Sequence, residues 1–188
     1  MRQLVVGCLV GILCLATPAN AGGRTWYFGI EGGLEFSGAE AVYSRSDSQG
    51  GALLATIGSA ISSRIYLEGE LGIRSNQFEG SFGNVDAAQL TLMVNAIYEA
   101  PLSKEISIDL GVGIGTDFIV LDDGFGSDGD AKVAAQLKLG LNFALSEATA
   151  VTLDYRYLKG FGGDYYLAGG GDKSIVNNTV TVGLRFDL

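Results

Sequence analysis

From residue 178 to residue 188 the side chains alternate without interruption. Val180, Val182, Leu184, Phe186 and Leu188 fall on one side; Thr179, Thr181, Gly183, Arg185 and Asp187 fall on the other. A repeat of two is the signature of a β-strand with one apolar and one polar face. The same repeat marks seven segments upstream: 25–36, 52–61, 64–74, 88–98, 105–120, 132–145 and 149–158. In the first, Trp26, Phe28, Ile30, Leu34 and Phe36 oppose Tyr27, Glu31 and Glu35. In the third, Ile65, Leu67, Leu71 and Ile73 oppose Tyr66, Glu68, Glu70 and Arg74. The fifth sets Ile106, Ile108, Leu110, Val112, Ile114 and Phe118 against Ser107, Asp109, Asp117 and three glycines. The second, 52–61, is the least polarised.

The connections between these segments sort by length. Residues 37–51, 75–86, 121–130 and 159–175 are long and polar, whereas 62–63, 100–104 and 146–148 are short. Long and short alternate along the chain, so all the long connections lie at one end of the sheet. That is the arrangement of an up-and-down membrane barrel, whose turns are short on one side and whose loops are long on the other. Segments of about 9–11 residues also suit a tilted strand crossing hydrocarbon. The last strand carries its alternation to Leu188. A long apolar edge invites aggregation unless it is paired, and the first strand is the expected partner. The fold expected is all-β, an eight-stranded antiparallel up-and-down transmembrane β-barrel.

Composition refines this picture. Residues 1–21 combine Arg2, an apolar run from Leu4 to Ala16 and the small-residue pattern Ala19-Asn20-Ala21, which reads as a cleaved secretory signal peptide. Residues 22–188 then form a single domain. Both cysteines, Cys8 and Cys14, fall in the leader, so no disulfide framework is expected. The chain carries 12 Lys and Arg against 21 Asp and Glu, a net charge of −9, which argues against nucleic acid as a partner. Hydrophobic residues make up 47% of the chain, yet beyond the leader no run approaches the ~20 apolar residues of a membrane helix. Apolar content spread over alternating strands is what a lipid-facing barrel requires.

Two orientations of the faces are open. With the apolar face inward, the molecule is a soluble periplasmic lipocalin-like carrier. With it outward, the aromatic residues Trp26, Tyr98, Phe143 and Phe186 near one end, and Phe36, Phe118 and Tyr157 near the other, form interfacial girdles. The polar face then lines a narrow interior, where charges must pair. Glu68, Glu70, Asp109 and Asp154 are expected to pair there with Lys138, Arg156 and Arg185, as a salt-bridge network filling the lumen or as a gated ion path.

Strand count, loop alternation and the terminal pattern Gly183-x-x-Phe186-x-Leu188 together resemble the eight-stranded outer-membrane barrels of the OmpA/OmpX-like and opacity-type group. In such proteins the terminal pattern is an assembly signal, here Gly183, Phe186 and Leu188, with Leu rather than an aromatic at the last position. The resemblance implies the outer membrane of a Gram-negative bacterium, a monomer, and as partners outer-membrane lipids, lipopolysaccharide and the barrel-assembly machinery. The enzymes among similar barrels use a histidine base; this chain has no histidine, so no enzymatic activity is expected.

No cofactor or metal site is expected. Asp122-Asp123-Gly124 and Asp128-Gly129-Asp130 offer oxygen ligands without the spacing of a calcium loop, and read as solvated acidic turns. Phe161, Tyr165 and Tyr166, on the longest connection, are candidates for contact with host or neighbouring surfaces. The function expected is structural and surface-presenting, with a narrow pore, a surface adhesin or the soluble carrier as alternatives.

Overall fold

The computed structural model describes residues 26–39, 47–80, 83–122, 127–161 and 175–188; the leader at 1–21 lies outside them. The eight strands are β1 (Trp26–Ala39), β2 (Asp47–Ala60), β3 (Ile65–Gly80), β4 (Gly83–Pro101), β5 (Ile106–Asp122), β6 (Ser127–Ala144), β7 (Thr149–Phe161) and β8 (Ile175–Asp187). Each pairs antiparallel with its neighbours in sequence. β8 returns to β1, with Phe186 opposite Phe28 and Leu184 opposite Ile30, and the sheet closes into a barrel.

The alternation in sequence becomes an alternation of environment. Ile30, Leu53, Leu67, Val94, Val112, Leu137, Leu153 and Val182 all point outward and are exposed. Glu31, Glu68, Asn95, Gln136, Asp154 and Thr181 point inward and are buried. A soluble barrel has these faces the other way round, so the lipocalin-like alternative is overturned by the burial itself. The interior is not purely polar. Leu54, Met93, Ile97, Ile119 and Leu158 also face inward and fill gaps between the polar side chains.

Strands run further than the alternation predicts. The segment 75–86, expected to be a loop, is mostly ladder: β3 continues to Gly80 and β4 starts at Gly83, with those two residues paired. Likewise most of 121–130 is strand, with Asp122 opposite Ser127, and β2 begins at Asp47 rather than residue 52. Apolar alternation reports contact with lipid. Backbone pairing needs no lipid, so a strand that leaves the apolar belt keeps its hydrogen bonds and loses its sequence signal. β4, at 19 residues, is about twice the length needed to cross hydrocarbon.

The three short connections share one construction. Ile61-Ser62-Ser63-Arg64, Leu102-Ser103-Lys104-Glu105 and Leu145-Ser146-Glu147-Ala148 each begin with an apolar residue and a serine. The first two amides of each turn donate to one carbonyl across the hairpin: that of Ile65 at 2.8 and 3.1 Å, of Ile106 at 2.9 and 3.0 Å, and of Thr149 at 2.9 and 3.1 Å. The serine hydroxyl accepts a following backbone N–H, as Ser103 Oγ does from Glu105 at 3.1 Å and Ile106 at 3.0 Å. This satisfies turn groups that would otherwise rely on water. Pro101 closes β4 at its last residue, where its missing donor interrupts no central ladder.

Candidate functional site in the barrel lumen

Strand parity delivers a column of charged side chains to the interior. At its centre lies Arg156 on β7, fully buried. Its two terminal nitrogens, Nη1 and Nη2, reach Glu31 of β1, each at 2.8 Å. Its Nε donates to Glu70 of β3 at 2.9 Å. Nη1 also donates to Thr181 Oγ1 at 2.9 Å, and that hydroxyl donates on to Glu31 at 2.6 Å. One guanidinium therefore ties three strands across the lumen with the fork geometry that arginine brings to carboxylates.

The network extends in both directions. Towards the long connections, Arg74 of β3 pairs with Glu35 at 2.9 Å and lies 3.8 Å from Glu70. Glu35 also accepts from Asn76 Nδ2 at 2.8 Å. Above it, Asn177 Nδ2 donates to Gln89 at 2.8 Å, and Gln89 Nε2 to Asp117 at 3.3 Å. Towards the short turns, Lys138 of β6 contacts both oxygens of Glu68 at 3.3 Å and stands 4.0 Å from Asp154. Glu68 further accepts from Tyr27 at 2.6 Å and Asn95 at 3.1 Å.

Arg185 sits apart from this centre, in the mouth at the turn end. It pairs with Glu99 at 3.0 Å and Asp187 at 3.1 Å, and reaches Asp109 only at 4.0 Å. Its guanidinium lies 4.0 Å from the ring centroid of Tyr27 and 5.2 Å from that of Tyr66. Those rings meet edge to face at 5.7 Å. Arginine over aromatic faces is a packing element as much as a charge.

Residues beyond the expected set join the column. Glu31, Glu35 and Arg74 belong to the central network and Glu99 to the mouth; Asp117 and Lys132 are buried nearer the long connections. The sequence signal for most of them is parity: Arg74 shares its face with Glu70, and Glu35 with Glu31. Small residues make the room. At Gly140 a Cβ would occupy the space of the Asp154 carboxylate, and at Gly183 it would overlap Glu31 Cγ and the Ile30 carbonyl. Gly183 thus faces the lumen beside the central ion pair, while Phe186 and Leu188 point outward.

Among the described residues, the space left beside the central network is small. Between Tyr27, Glu31, Glu68, Asp109, Lys138 and Asp154 there is a cavity of about 10 Å³, room for about one water. A wider recess of about 190 Å³ opens at the turn end, lined in part by Glu99, Lys104, Glu105, Asn142, Arg185 and Asp187. The two share Asn142 and Arg185. Among the described residues, Lys138 and Arg156 with their carboxylate partners cross the lumen beside these two spaces. Carboxylates outnumber cations in the central network: Glu31, Glu35, Glu68, Glu70 and Asp154 face Arg74, Lys138 and Arg156. Among the described residues no group of three or more His, Cys, Asp or Glu is placed to hold a metal ion.

Phe161, read in sequence as part of the longest connection, is instead the last residue of β7, opposite Val133 and exposed on the outer surface. Lys159 Nζ stands 5.7 Å from its ring centroid. Tyr165 and Tyr166 lie outside the described residues.

A family model described as "Outer membrane protein beta-barrel domain" matches residues 7–186. Among solved structures, Neisserial surface protein A superposes with a TM-score of 0.69 at 14% identity, covering 87% of this chain and 97% of that one. The outer membrane protein AlkL, determined in DMPC bilayers, gives 0.59 at 17% identity, covering 92% and 95%. Ail of Yersinia pestis, solved with the heparin analogue sucrose octasulfate, gives 0.54 at 15% identity, covering 86% and 99%. At these identities the likeness is one of fold. No curated protein matches the chain.

Proposed function

Because the chain belongs to the outer membrane protein β-barrel domain family, and so resides in the cell outer membrane, we propose that its work there is structural: a closed, non-enzymatic barrel that holds surface connections in place. The observation that carries this reading is the sealed lumen. Arg156 and Arg74, both fully buried, bridge β1, β3 and β7 through Glu31, Glu35 and Glu70. Only about 10 Å³ is left open beside Glu68 and Lys138. A permeation path needs a continuous column of water, and that volume holds about one molecule. The non-enzymatic reading is supported by a chain without histidine and by the way Glu31, Glu35, Glu68 and Glu70 are each tied to cations, hydroxyls or amides, an arrangement that packs a lumen.

Purified protein in planar bilayers tests this. The wild type is expected to show no steady conductance at moderate voltage and salt; a stable unitary conductance overturns the structural reading in favour of a narrow pore. The surplus of carboxylates requires any such current to be cation-selective.

Surface presentation is supported by the composition of residues 162–174, which combine five glycines with Tyr165 and Tyr166. Deletion of 162–167 is expected to leave the boiling-dependent gel shift of the folded barrel intact, because the deleted residues follow the end of β7. If the protein acts as an adhesin, the same deletion abolishes attachment of expressing cells to host-cell monolayers. Attachment equal to that of the intact protein removes this segment as the contact. Phe161 stays in the deletion variant, since it belongs to the ladder.

A further inference from the structure

The outer surface is not uniformly smooth. On the faces of β3 to β6 near the turn end there is an open trough of about 490 Å³. Its lining includes Ile65, Ala96, Tyr98, Leu110, Val112 and Leu137. Register explains the hollow. Ala96 stands between Leu67 on β3 and Val112 on β5, so a single methyl is ringed by large side chains and the wall dips there. The trough is lined almost wholly by carbon, but its aqueous end is not. Tyr98, which forms part of the lining, accepts a hydrogen bond at its hydroxyl from Arg64 Nη1 at 3.5 Å. Arg64 is exposed in the turn at 61–64, next to Ile65 of the lining. An apolar groove thus ends in a guanidinium and a phenol.

Short turns face the periplasm in barrels of this class, which places the trough in the inner leaflet. Lipids there are phospholipids, with acyl chains in the hydrocarbon and phosphates at the level of the aromatic belt. Arginine offers a planar pair of donors to phosphate oxygens, and interfacial basic residues attract anionic headgroups. We propose that this trough is a binding site for one phospholipid, with an acyl chain laid over Ala96 and the phosphate held by Arg64 beside Tyr98. The same shape without Arg64 would be an ordinary irregularity of a lipid-facing wall; the cation at its open end supplies the headgroup contact that fixes one lipid in place. The proposal rests on the outward face lying in lipid, which a charge substitution far from the trough tests separately, as argued below for Val182.

Native mass spectrometry of the detergent-released barrel, titrated with phosphatidylglycerol, is the test. The wild type is expected to retain one lipid at collision energies that strip the rest. Ala96→Phe fills the hollow and is expected to weaken retention about tenfold or more. Arg64→Gln removes a charged hydrogen bond and is expected to weaken it to a similar extent. Leu153→Phe, an outward substitution on β7 away from the trough, serves as the control and is expected to change nothing. The boiling-dependent gel shift reports folding for each variant. If Ala96→Phe fails to fold, Arg64→Gln decides, because it lies in an exposed turn. Wild-type barrels that retain no lipid, variants that retain it equally, or an equal loss in Leu153→Phe each overturn the proposal.

Discussion

Replacing Arg156 with Gln is expected to destabilise the barrel by about 3–5 kcal/mol, the usual cost of removing one partner from a buried ion-pair network. The side chain is fully buried and contacts Glu31, Glu70 and Thr181 at 2.8–2.9 Å. Without it, two carboxylates on different strands face each other across the lumen with Arg74 and Lys138 as the remaining cations of the central network. Gln is shorter and neutral, so it neither spans the gap nor offsets the charge. Urea unfolding of the protein refolded into phospholipid vesicles measures the loss, provided that the transition is reversible. A midpoint within error of the wild type would mean that the guanidinium is not the keystone of the lumen. The same variant bears on permeation. Removing the bridge widens the lumen at Arg156 and increases the carboxylate surplus, so a cation-selective conductance is expected to emerge in planar bilayers where the wild type shows none. The pair Arg156→Met with Glu31→Gln is expected to lose less than the sum of its single variants, since each single variant leaves the other group buried without its partner.

The second large effect concerns the outer face. Val182 lies on β8 midway between Asn178 and Phe186 and is 57% exposed in the isolated chain. In a membrane that position is near the centre of the hydrocarbon. Val182→Arg is expected to cost about 2–4 kcal/mol in vesicles, whereas an arginine close to an interface costs about 0–1 kcal/mol. Leu145, in the turn after β6 and 66% exposed, supplies the interfacial comparison as Leu145→Arg. On a soluble barrel both substitutions would sit in water and fall within about 0.5 kcal/mol of neutral. A steep difference between the two positions therefore reports depth in lipid. Equal, small effects would contradict the outward face being the lipid face. Because Val182 is not among the residues lining the trough around Ala96, this result is independent of whether a phospholipid occupies it.

The legible part of the site was its membership by face. Glu68 and Glu70 share parity on β3, Lys138 and Gln136 on β6, Asp154 and Arg156 on β7, and all six turn inward. Arg74 and Glu35 could be read by the same rule, yet their roles depend on height in the barrel, which parity does not report. Arg185 has the parity of a lumen residue but stands at the mouth, because β8 meets β1 with Arg185 opposite Gly29 and Asp187 opposite Tyr27. The ends of the strands were less legible. Residues 75–80 and 83–86 lack a sustained apolar repeat, their one apolar pair being Phe78 with Val85, because they extend past the apolar belt. The repeated turn was visible as an apolar residue followed by serine at 61, 102 and 145, although its meaning came only with the hydrogen bonds that each serine accepts.

What this sequence determined by itself is therefore the number of strands and their faces. Those are properties of neighbouring residues: a strand's two faces are set by a repeat of two, and which face meets lipid by where the apolar residues fall in that repeat. Only the tertiary structure decided which charge meets which. Arg156 and Glu31 are 125 residues apart in the chain, and Lys138 and Glu68 are 70 apart. Their contact depends on closure, on the stagger of eight strands, and on glycines such as Gly140 and Gly183 that leave space for a facing side chain. No local pattern encodes that stagger, because every strand could slide by two residues and keep its faces. The sealed lumen and the trough beside Ala96 are consequences of the one register in which the buried charges find their partners.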